Sequence, residues 1–378
     1  MSHSTSVSPA GAPGALAPDN DPWDPIDALR RYGRHRLTSV EMTVSNLCNM
    51  RCEHCAVGDT LVWREPGKLP LAHMLRRLDE VEHLQTISIT GGEPSFAAST
   101  MKDYILPLLR YARERGVRTQ INSNLTLDYD RYEPLLADLD VMHISFNYRD
   151  ADDFHHIGFA RSPHPPPREA AARLYERMIA NARRLSDGGM LVSAESMINY
   201  RTHLHIDAIH RLIVEMGCKR HEVHPMYPSA FAADLPMLSR EDMAAAIERL
   251  LASRDRSVWM LFGTLPFYAC SASPSERELL RRLRETEGVT VRNDPDGRNR
   301  LNVNLFTGDV FVTDFSDVPA FGNIGSDRLD ALFERWLGSE LARSVSCHCP
   351  AADCCGPNLL VKEMYYRETD FSVRQAVL

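Results

Sequence analysis

Residues 40–55 of the chain read VEMTVSNLCNMRCEHC, a run rich in β-branched residues followed at once by three cysteines. Residues 86–94 read TISITGGEP, a second such run followed by two glycines, a glutamate and a proline. Both runs have the length and residue types of a strand. In α/β proteins, ligands bind beside the segments that directly follow the strands. The two stretches therefore predict an α/β fold with its chemistry at the carboxyl ends of the strands.

The alternation of strand-like and helix-like segments extends from about Thr38 to Pro228. Between the strand candidates, apolar residues recur at helical spacing, as at Leu71, Leu75 and Leu78. Repeated strand–helix units imply parallel strands joined by right-handed crossovers, and hence an α/β sheet or barrel. The six predicted strands are Val40–Ser45, Thr86–Thr90, Arg118–Asn122, Val141–Phe146, Leu191–Ile198 and His221–Met226.

Composition excludes several classes of protein. The 378 residues include 43 Lys+Arg and 51 Asp+Glu, which gives a net charge of −8. The chain has no block of basic residues that would bind nucleic acid or an anionic membrane surface. No apolar stretch is long enough to span a membrane. Residues 1–24, rich in Ser, Ala, Pro and Gly, are expected to form a disordered tail without a signal peptide.

Seven of the nine cysteines crowd into two short clusters, which favours metal binding in the cytoplasm over disulfide bonds. The first cluster, Cys48, Cys52 and Cys55, has the spacing C-x3-C-x2-C. Three thiolates on one tight loop can hold three irons of an iron–sulfur cube, and the fourth iron stays open to a ligand. The alternative is a zinc site completed by His54 or another histidine.

These cysteines, together with the GGEP sequence after the second strand, resemble the radical S-adenosylmethionine (SAM) superfamily. The resemblance covers about Thr38 to Pro228 and implies a partial (β/α)6 barrel of the TIM type over residues 25–235. It implies that Cys48, Cys52 and Cys55 ligate a [4Fe–4S] cluster whose open iron binds SAM. Gly91, Gly92 and Glu93 would hold the SAM amino group, and His54 would lie near the adenine, where the family usually has an aromatic residue.

The resemblance also implies that polar residues at later strand ends bind SAM or substrate. For each of them, a helix cap or a turn residue is the alternative role. Histidines and other residues near the strand ends are candidates to line a substrate chamber, without a catalytic assignment. The strand-end candidates are Ser123, Asn124, Ser145, Asn147, Glu195 and Asn199, and the chamber candidates are His143, His155, His156, His224, Met226 and Tyr227.

A second cluster, Cys347, Cys349, Cys354 and Cys355, lies near the C-terminus. A predicted hairpin, Leu301–Phe306 with Asp309–Thr313, and a helix, Asp327–Leu337, precede it. This region, residues 236–378, is similar to the small α+β, twitch-like extension that carries an auxiliary [4Fe–4S] cluster in many radical SAM enzymes. The resemblance nominates four ligands: Cys270, Cys347, Cys349 and Cys354. Cys355 in place of Cys354, an open iron or Asp314 as a ligand, and a structural zinc site remain alternatives.

The expected function is reductive cleavage of SAM to a 5′-deoxyadenosyl radical, which takes hydrogen from a small-molecule biosynthetic substrate, such as a sugar- or nucleoside-like compound. The auxiliary cluster would transfer electrons, bind substrate or donate sulfur, and reduced flavodoxin or ferredoxin would supply electrons. Too few residues precede the barrel for an added leader-peptide domain, which favours a small molecule over a peptide. The alternatives are a peptide-modifying radical SAM maturase and a non-catalytic iron–sulfur or zinc protein.

Overall fold

The computed structural model describes residues 15–293, 296–313, 318–347, 354 and 356–371. Its centre is an eleven-stranded sheet in the order β11-β10-β9-β1-β2-β3-β4-β5-β6-β7-β8. The strands are β1 Ser39–Ser45, β2 Thr86–Gly91, β3 Arg118–Ser123, β4 Val141–Ser145, β5 Leu191–Ile198, β6 Arg220–Pro225, β7 Trp259–Gly263, β8 Val289–Arg292, β9 Arg300–Asn304, β10 Asp309–Phe311 and β11 Gly322–Asn323.

Helices connect most of the parallel strands. A π-helical segment, Met101–Ile105, joins α3 to α4. The helices are α1 Pro25–Tyr32, α2 Leu71–Asp79, α3 Ala98–Thr100, α4 Leu106–Glu114, α5 Ala151–Gly158, α6 Arg168–Asp187, α7 Ile206–Glu215, α8 Arg240–Ser253, α9 Pro274–Glu285, α10 Leu329–Leu337, α11 Glu340–Ser344 and α12 Leu359–Tyr365. No helix in the described ranges is long and apolar enough to cross a membrane.

The strands β1 to β8 lie side by side in chain order, and every neighbouring pair is parallel. The apolar residues of β1, Val40, Met42 and Val44, are fully buried, and Val40 lies in register with Ile87 of β2 and Leu301 of β9. Strands covered on both faces need apolar residues along most of their length, which explains the β-branched runs. The predicted α/β fold with a parallel sheet is confirmed.

The six strands predicted between Thr38 and Pro228 are all present as β1 to β6, but β7 and β8, which were not predicted, continue the parallel sheet after residue 235. All five residues of β7, WMLFG, are buried, so the strand lacks the polar–apolar alternation that marks a half-exposed strand. The predicted hairpin is confirmed as β9 with β10, but β9 also pairs in parallel with β1. The strands of the predicted α+β extension therefore belong to the main sheet, and the boundary at residue 236 does not coincide with a sheet edge.

The predicted disordered tail is wrong for residues 15–24, whereas residues 1–14 lie outside the described ranges. Trp23 is 7% exposed, and its indole N–H donates to the Ser88 hydroxyl at 3.0 Å. Asp21 forms a salt bridge of 3.0 Å with Arg292. These buried contacts attach the N-terminal segment to the sheet.

Candidate active site

A cavity of about 480 Å³ lies at the carboxyl ends of the strands. Parallel strands bring these ends to one edge of the sheet, so residues far apart in the chain meet there. Most of the residues predicted to bind SAM or its cluster line this cavity. They are Cys52, His54, Cys55, Gly91, Gly92, Ser123, Asn124, Ser145 and Glu195.

The cysteine loop follows β1 and is fixed to neighbouring elements by its backbone. The amide N–H groups of Arg51 and Glu53 donate to the carbonyls of Gly158 and Ile157, each at 3.0 Å. The Glu53 carboxylate is buried and forms a 2.8 Å salt bridge with Arg201. Because both its backbone and a buried side chain are held, the loop presents its three thiols from a fixed support.

Burial sets the protonation of the three thiols. It raises the pKa of Cys48 to about 12, with smaller effects from Glu93 and Cys55. It also raises the pKa of Cys52 well above the ordinary value and raises that of Cys55. Without a bound cation the thiols are therefore neutral, and iron must displace their protons to bind thiolates. Three partly buried cysteines on one loop fit the ligand set of an iron–sulfur cluster with one open iron.

The two glycines of GGEP allow the loop after β2 to lie against the cysteine loop. A Cβ atom on Gly91, whose φ is +137°, would lie 2.1 Å from the Ser45 carbonyl oxygen. A Cβ atom on Gly92 would lie 2.3 Å from the Leu47 carbonyl oxygen. The sequence suggested that these glycines admit a ligand, and both do line the cavity. Glycine is needed at these two positions, however, because the chain after β2 lies against the backbone at the end of β1.

Glu93 joins the loop after β2 to the end of β3. Its buried carboxylate accepts hydrogen bonds from the Ser95 amide at 3.2 Å, the Ser123 hydroxyl at 3.0 Å and the Asn124 amide at 2.7 Å. Burial raises the pKa of Glu93 to about 7. Glu93 does not line the cavity surface in the way that Gly91 and Gly92 do. Its contact with the SAM amino group stays a prediction.

The raised pKa of Glu93 predicts a pH dependence of stability in the protein without cofactors. A carboxyl with a pKa near 4.5 when unfolded and about 7 when folded favours the folded state less as pH rises through this window. Glu93→Gln should therefore remove a loss on the order of 3 kcal/mol that the native protein shows between pH 4.5 and 7. Urea unfolding at pH 5 and pH 7 measures it, with the exposed Glu114→Gln as the control. Equal pH slopes in native protein and Glu93→Gln would contradict this.

Asn124 connects the end of β3 to the cysteine loop. Its amide nitrogen donates to Asn49 Oδ1 at 2.9 Å and lies 3.8 Å from the Cys48 sulfur. Its Oδ1 atom also accepts the Thr126 amide at 3.1 Å, which is the turn role considered for it. Ser123 likewise accepts the Leu125 amide at 3.0 Å. Both side chains thus have structural partners, and their contacts with SAM stay predictions.

His54 has a ring nitrogen available inside the cavity region. Burial lowers its pKa to about 4, so the imidazole is neutral near pH 7. Its buried Nδ1 atom has no hydrogen-bond partner among the described residues. A neutral ring with an unpartnered nitrogen fits the polar edge of an adenine.

A second cavity, of about 220 Å³, adjoins the first and shares several of its lining residues, including His54, Glu195 and Met197. Four of the six chamber candidates, His143, His224, Met226 and Tyr227, line it. The other two lie on α5, where His155 Nε2 is 2.9 Å from the Pro166 carbonyl oxygen, and neither lines the described cavities.

Sequence reasoning missed a group of paired charges around this second cavity. His143 Nε2 lies 3.2 Å from Glu195, and His224 Nε2 lies 2.9 Å from Glu222. Burial alone would raise the pKa of Glu195, but its histidine neighbours outweigh burial and lower it. Burial would likewise raise the pKa of Glu222, but its arginine and histidine neighbours lower it well below the usual range. The remaining pairs are Glu222 with Arg292 at 2.5 Å, Glu222 with Arg220 at 3.6 Å, and Glu41 with Arg300 at 3.4 Å. The sequence did contain a signal for these pairs. Glu222 lies inside a predicted strand and Arg220 begins the observed β6, and charged residues are unusual in buried strands.

The C-terminal cysteines meet in a second buried cluster. Cys347 and Cys354 are buried with Tyr227 and Tyr268, and Cys270 packs against them. Cys349, Cys355 and Asp314 lie outside the described residues. Within the described ranges, no three His, Cys, Asp or Glu side chains are grouped so as to hold one metal ion. An iron–sulfur cluster differs from such a site because each thiolate binds its own iron. The ligand roles stay predictions.

Comparison with known proteins identifies two segments of the chain. Residues 42–211 match the model of the radical SAM superfamily, and residues 226–376 match the model of a YfkB-like domain. The chain is 56% identical over 362 residues to the protein YfkA of Bacillus subtilis (strain 168), covering 96% of this chain and 97% of YfkA.

Two solved structures share the fold. SuiB of Streptococcus suis bound to S-adenosylmethionine has a TM-score of 0.58 at 16% identity, over 89% of this chain and 74% of SuiB. Native anSMEcpe with bound AdoMet has a TM-score of 0.56 at 14% identity, over 79% of this chain and 80% of anSMEcpe. The chain belongs to the family of YfkA, and its residues 42–211 match the radical SAM superfamily model.

Proposed function

We propose that the protein is an enzyme that cleaves SAM reductively and abstracts hydrogen from a small-molecule biosynthetic substrate. The observation that carries this proposal is the convergence of Cys52, Cys55, His54 and Gly91 on one cavity inside a radical SAM domain. When bound, a [4Fe–4S] cluster and SAM supply a 5′-deoxyadenosyl radical, which takes a hydrogen atom from the substrate. Cys48, Cys52 and Cys55 hold the cluster.

Buried side chains form part of the wall around this chemistry. Met50 and Tyr148 are each 2% exposed and line the cavity beside Cys52. The Tyr148 hydroxyl is an electrostatic neighbour of the Cys52 thiol, and it partly offsets the rise in the thiol pKa that burial causes. Phe311 and Val303 line the cavity from the hairpin. A reactive radical needs such shielding, because a competing hydrogen donor or an oxidant near it would end the reaction.

The second cavity is our proposed substrate chamber. Its charged side chains are paired with one another, as in Glu41 with Arg300 and Glu222 with Arg292. A charged substrate group would have to compete with these pairs, whereas hydroxyl or amide groups can hydrogen-bond to their outer edges. An uncharged polar molecule, sugar- or nucleoside-like, suits this lining. SuiB and anSMEcpe, which have also been solved with peptides, favour the alternative of a peptide substrate.

Fractionated extract distinguishes the two substrates. Anaerobic, dithionite-reduced protein is given either a metabolite fraction below about 1 kDa or a peptide fraction, and released 5′-deoxyadenosine is measured. A small-molecule substrate predicts stimulation by the metabolite fraction, and the stimulation survives protease treatment. Stimulation by the peptide fraction alone, abolished by protease, would replace the small molecule by the peptide alternative.

We also propose one auxiliary [4Fe–4S] cluster in a twitch-like C-terminal region, held by Cys270, Cys347, Cys349 and Cys354. The proposed substrate chamber lies between the two cysteine clusters, since His54 lines one end and Tyr227, which packs with Cys347, lines the other. A cluster there is placed to transfer electrons to or from the substrate, to bind it or to donate sulfur. The fate of the substrate radical decides among these roles.

Removing the auxiliary ligands tests this cluster. Cys270→Ala/Cys347→Ala/Cys354→Ala should reduce the iron content of anaerobically reconstituted protein from about eight atoms to about four. SAM cleavage without substrate should persist, because the first cluster is intact. Iron and sulfide analysis measures the change, and zinc analysis covers the structural zinc alternative. An iron content of about four in both proteins, with zinc lost in the variant, would contradict the auxiliary cluster.

Electrons for SAM cleavage must come from a separate protein, and we propose reduced flavodoxin or ferredoxin. The expected lack of nucleic-acid binding stays a prediction.

A further inference from the structure

A hollow of about 440 Å³ lies on the outer side of the cysteine loop. Cys52 and Cys55 line the inner cavity, whereas Cys48 lines this outer hollow with Arg51, Trp63 and Phe96. The loop is therefore a thin wall with thiols on both of its sides. An electron that enters at the hollow reaches a ligand of the proposed cluster directly, without crossing the substrate chamber.

The rim of the hollow carries exposed aromatic surface. Trp63 is 75% exposed and Phe96 is 38% exposed, and Trp63 has the greatest exposure among the large apolar side chains of the described residues. The Arg51 guanidinium lies 4.6 Å from the centre of the Trp63 ring. Tryptophan and arginine are the residue types that most often dominate the binding energy of protein interfaces. We call the surface formed by Arg51, Trp63, Arg64 and Phe96 the Trp63 face.

The Trp63 face carries unpaired positive charge. Arg51 donates to the carbonyl oxygens of Cys48 and Met50, each at 2.8 Å, and is in no salt bridge within the described part of the chain. Arg64 is exposed and likewise has no ion pair among the described residues. The neighbouring Glu65 is neutralised by Lys68 at 2.7 Å. The Arg51 guanidinium over the exposed indole, with Arg64 next to Trp63 in the chain, favours an acidic partner, although the whole chain is acidic.

We propose that the Trp63 face docks an acidic one-electron carrier protein, which reduces the cluster held by Cys48, Cys52 and Cys55. This proposal rests on the proposed function. In the step, one electron leaves the reduced carrier and enters the cluster; no bond forms or breaks and no proton moves. Small, partly electrostatic interfaces are typical of such transient redox complexes.

Binding and turnover are measured separately. Trp63→Ala and Arg64→Glu are compared with two exposed residues elsewhere, Leu204→Ala and Arg249→Glu. Calorimetry with an oxidised bacterial flavodoxin and an oxidised bacterial ferredoxin gives affinities at two salt concentrations. 5′-Deoxyadenosine release is then driven either by the reduced carrier or by dithionite.

We expect both Trp63-face variants to weaken carrier binding about tenfold or more, while the two controls bind normally. Higher salt should weaken native binding and have less effect on Arg64→Glu. Carrier-driven release should fall in parallel with binding, and dithionite-driven release should not change. Native affinity of both variants for the carriers, or no carrier binding by the native protein, would overturn the docking proposal. Absence of dithionite-driven release from every protein would instead overturn the proposed function, because the binding data do not depend on turnover.

Discussion

Replacing Cys48, Cys52 and Cys55 together by alanine will abolish SAM cleavage and remove about four of about eight irons. Cys52 and Cys55 line the first cavity, and Cys48 lies on the same loop, which backbone hydrogen bonds hold to α5. No other described thiol lines either cavity. Without these ligands the open iron that binds SAM is lost. Iron and sulfide analysis and 5′-deoxyadenosine release under dithionite measure both effects.

The matched control is Cys218→Ala. Cys218 is 2% exposed and packs in the main hydrophobic core. This substitution also removes a buried thiol but leaves the proposed ligands intact, so iron content and SAM cleavage should be retained. Full iron content in the triple variant, or equal iron loss in Cys218→Ala, would show that these cysteines are not the ligands.

Gly91→Ala should destabilise the protein by about 3 kcal/mol or more and should prevent cluster assembly. The new Cβ would lie 2.1 Å from the Ser45 carbonyl oxygen and 3.0 Å from the Ser45 amide nitrogen, both backbone atoms that cannot move without shifting the cysteine loop. Overpacking against backbone and a positive φ each cost about 1–3 kcal/mol. Urea unfolding and iron content measure the two consequences.

Gly116→Ala separates the clash from the backbone conformation. Gly116 also has a positive φ, of +67°, but a Cβ atom there would meet nothing within 4 Å. Only the cost of the left-handed conformation remains, about 1–2 kcal/mol, and iron content should be normal. If Gly91→Ala were no more destabilising than Gly116→Ala, the two loops would not be in the close contact described above.

The first six strands were predicted because each combines β-branched residues with turn or loop residues before and after it. The prediction Leu191–Ile198 coincides with β5, and Val141–Phe146 exceeds β4 by one residue. The strands β7 and β8, which are short, were not predicted, and β7 is buried along its whole length. Strand pairing across the sheet, such as that of β9 with β1, depends on contacts about 260 residues apart, which no local pattern contains.

The candidate site was predictable where chemistry concentrates in a short segment. The cysteine spacing and GGEP are local signals, and the cavity does bring Cys52, Cys55, Gly91 and Gly92 together. The hydrogen bonds that Glu93 accepts come from Ser123 and Asn124, some thirty residues later, so no local pattern predicts them.

The pairing of the buried charges could not be predicted from local sequence either, because the partners lie far apart in the chain. Arg292 lies 70 residues from its partner Glu222 and 271 from Asp21. A buried charge is stable only when its partner is supplied by the fold. The sequence marks Glu222 as a charge inside a predicted strand, but it does not indicate which residues pair with it.

The most direct test of the central claim is the electron paramagnetic resonance spectrum of the reduced protein before and after SAM is added. The Cys270→Ala/Cys347→Ala/Cys354→Ala variant is used so that only the cluster at Cys48, Cys52 and Cys55 contributes. We predict a [4Fe–4S] signal that changes when SAM binds to the open iron. A [4Fe–4S] signal that SAM leaves unchanged, or no such signal, would contradict the assignment of this cavity as a SAM-cleaving site.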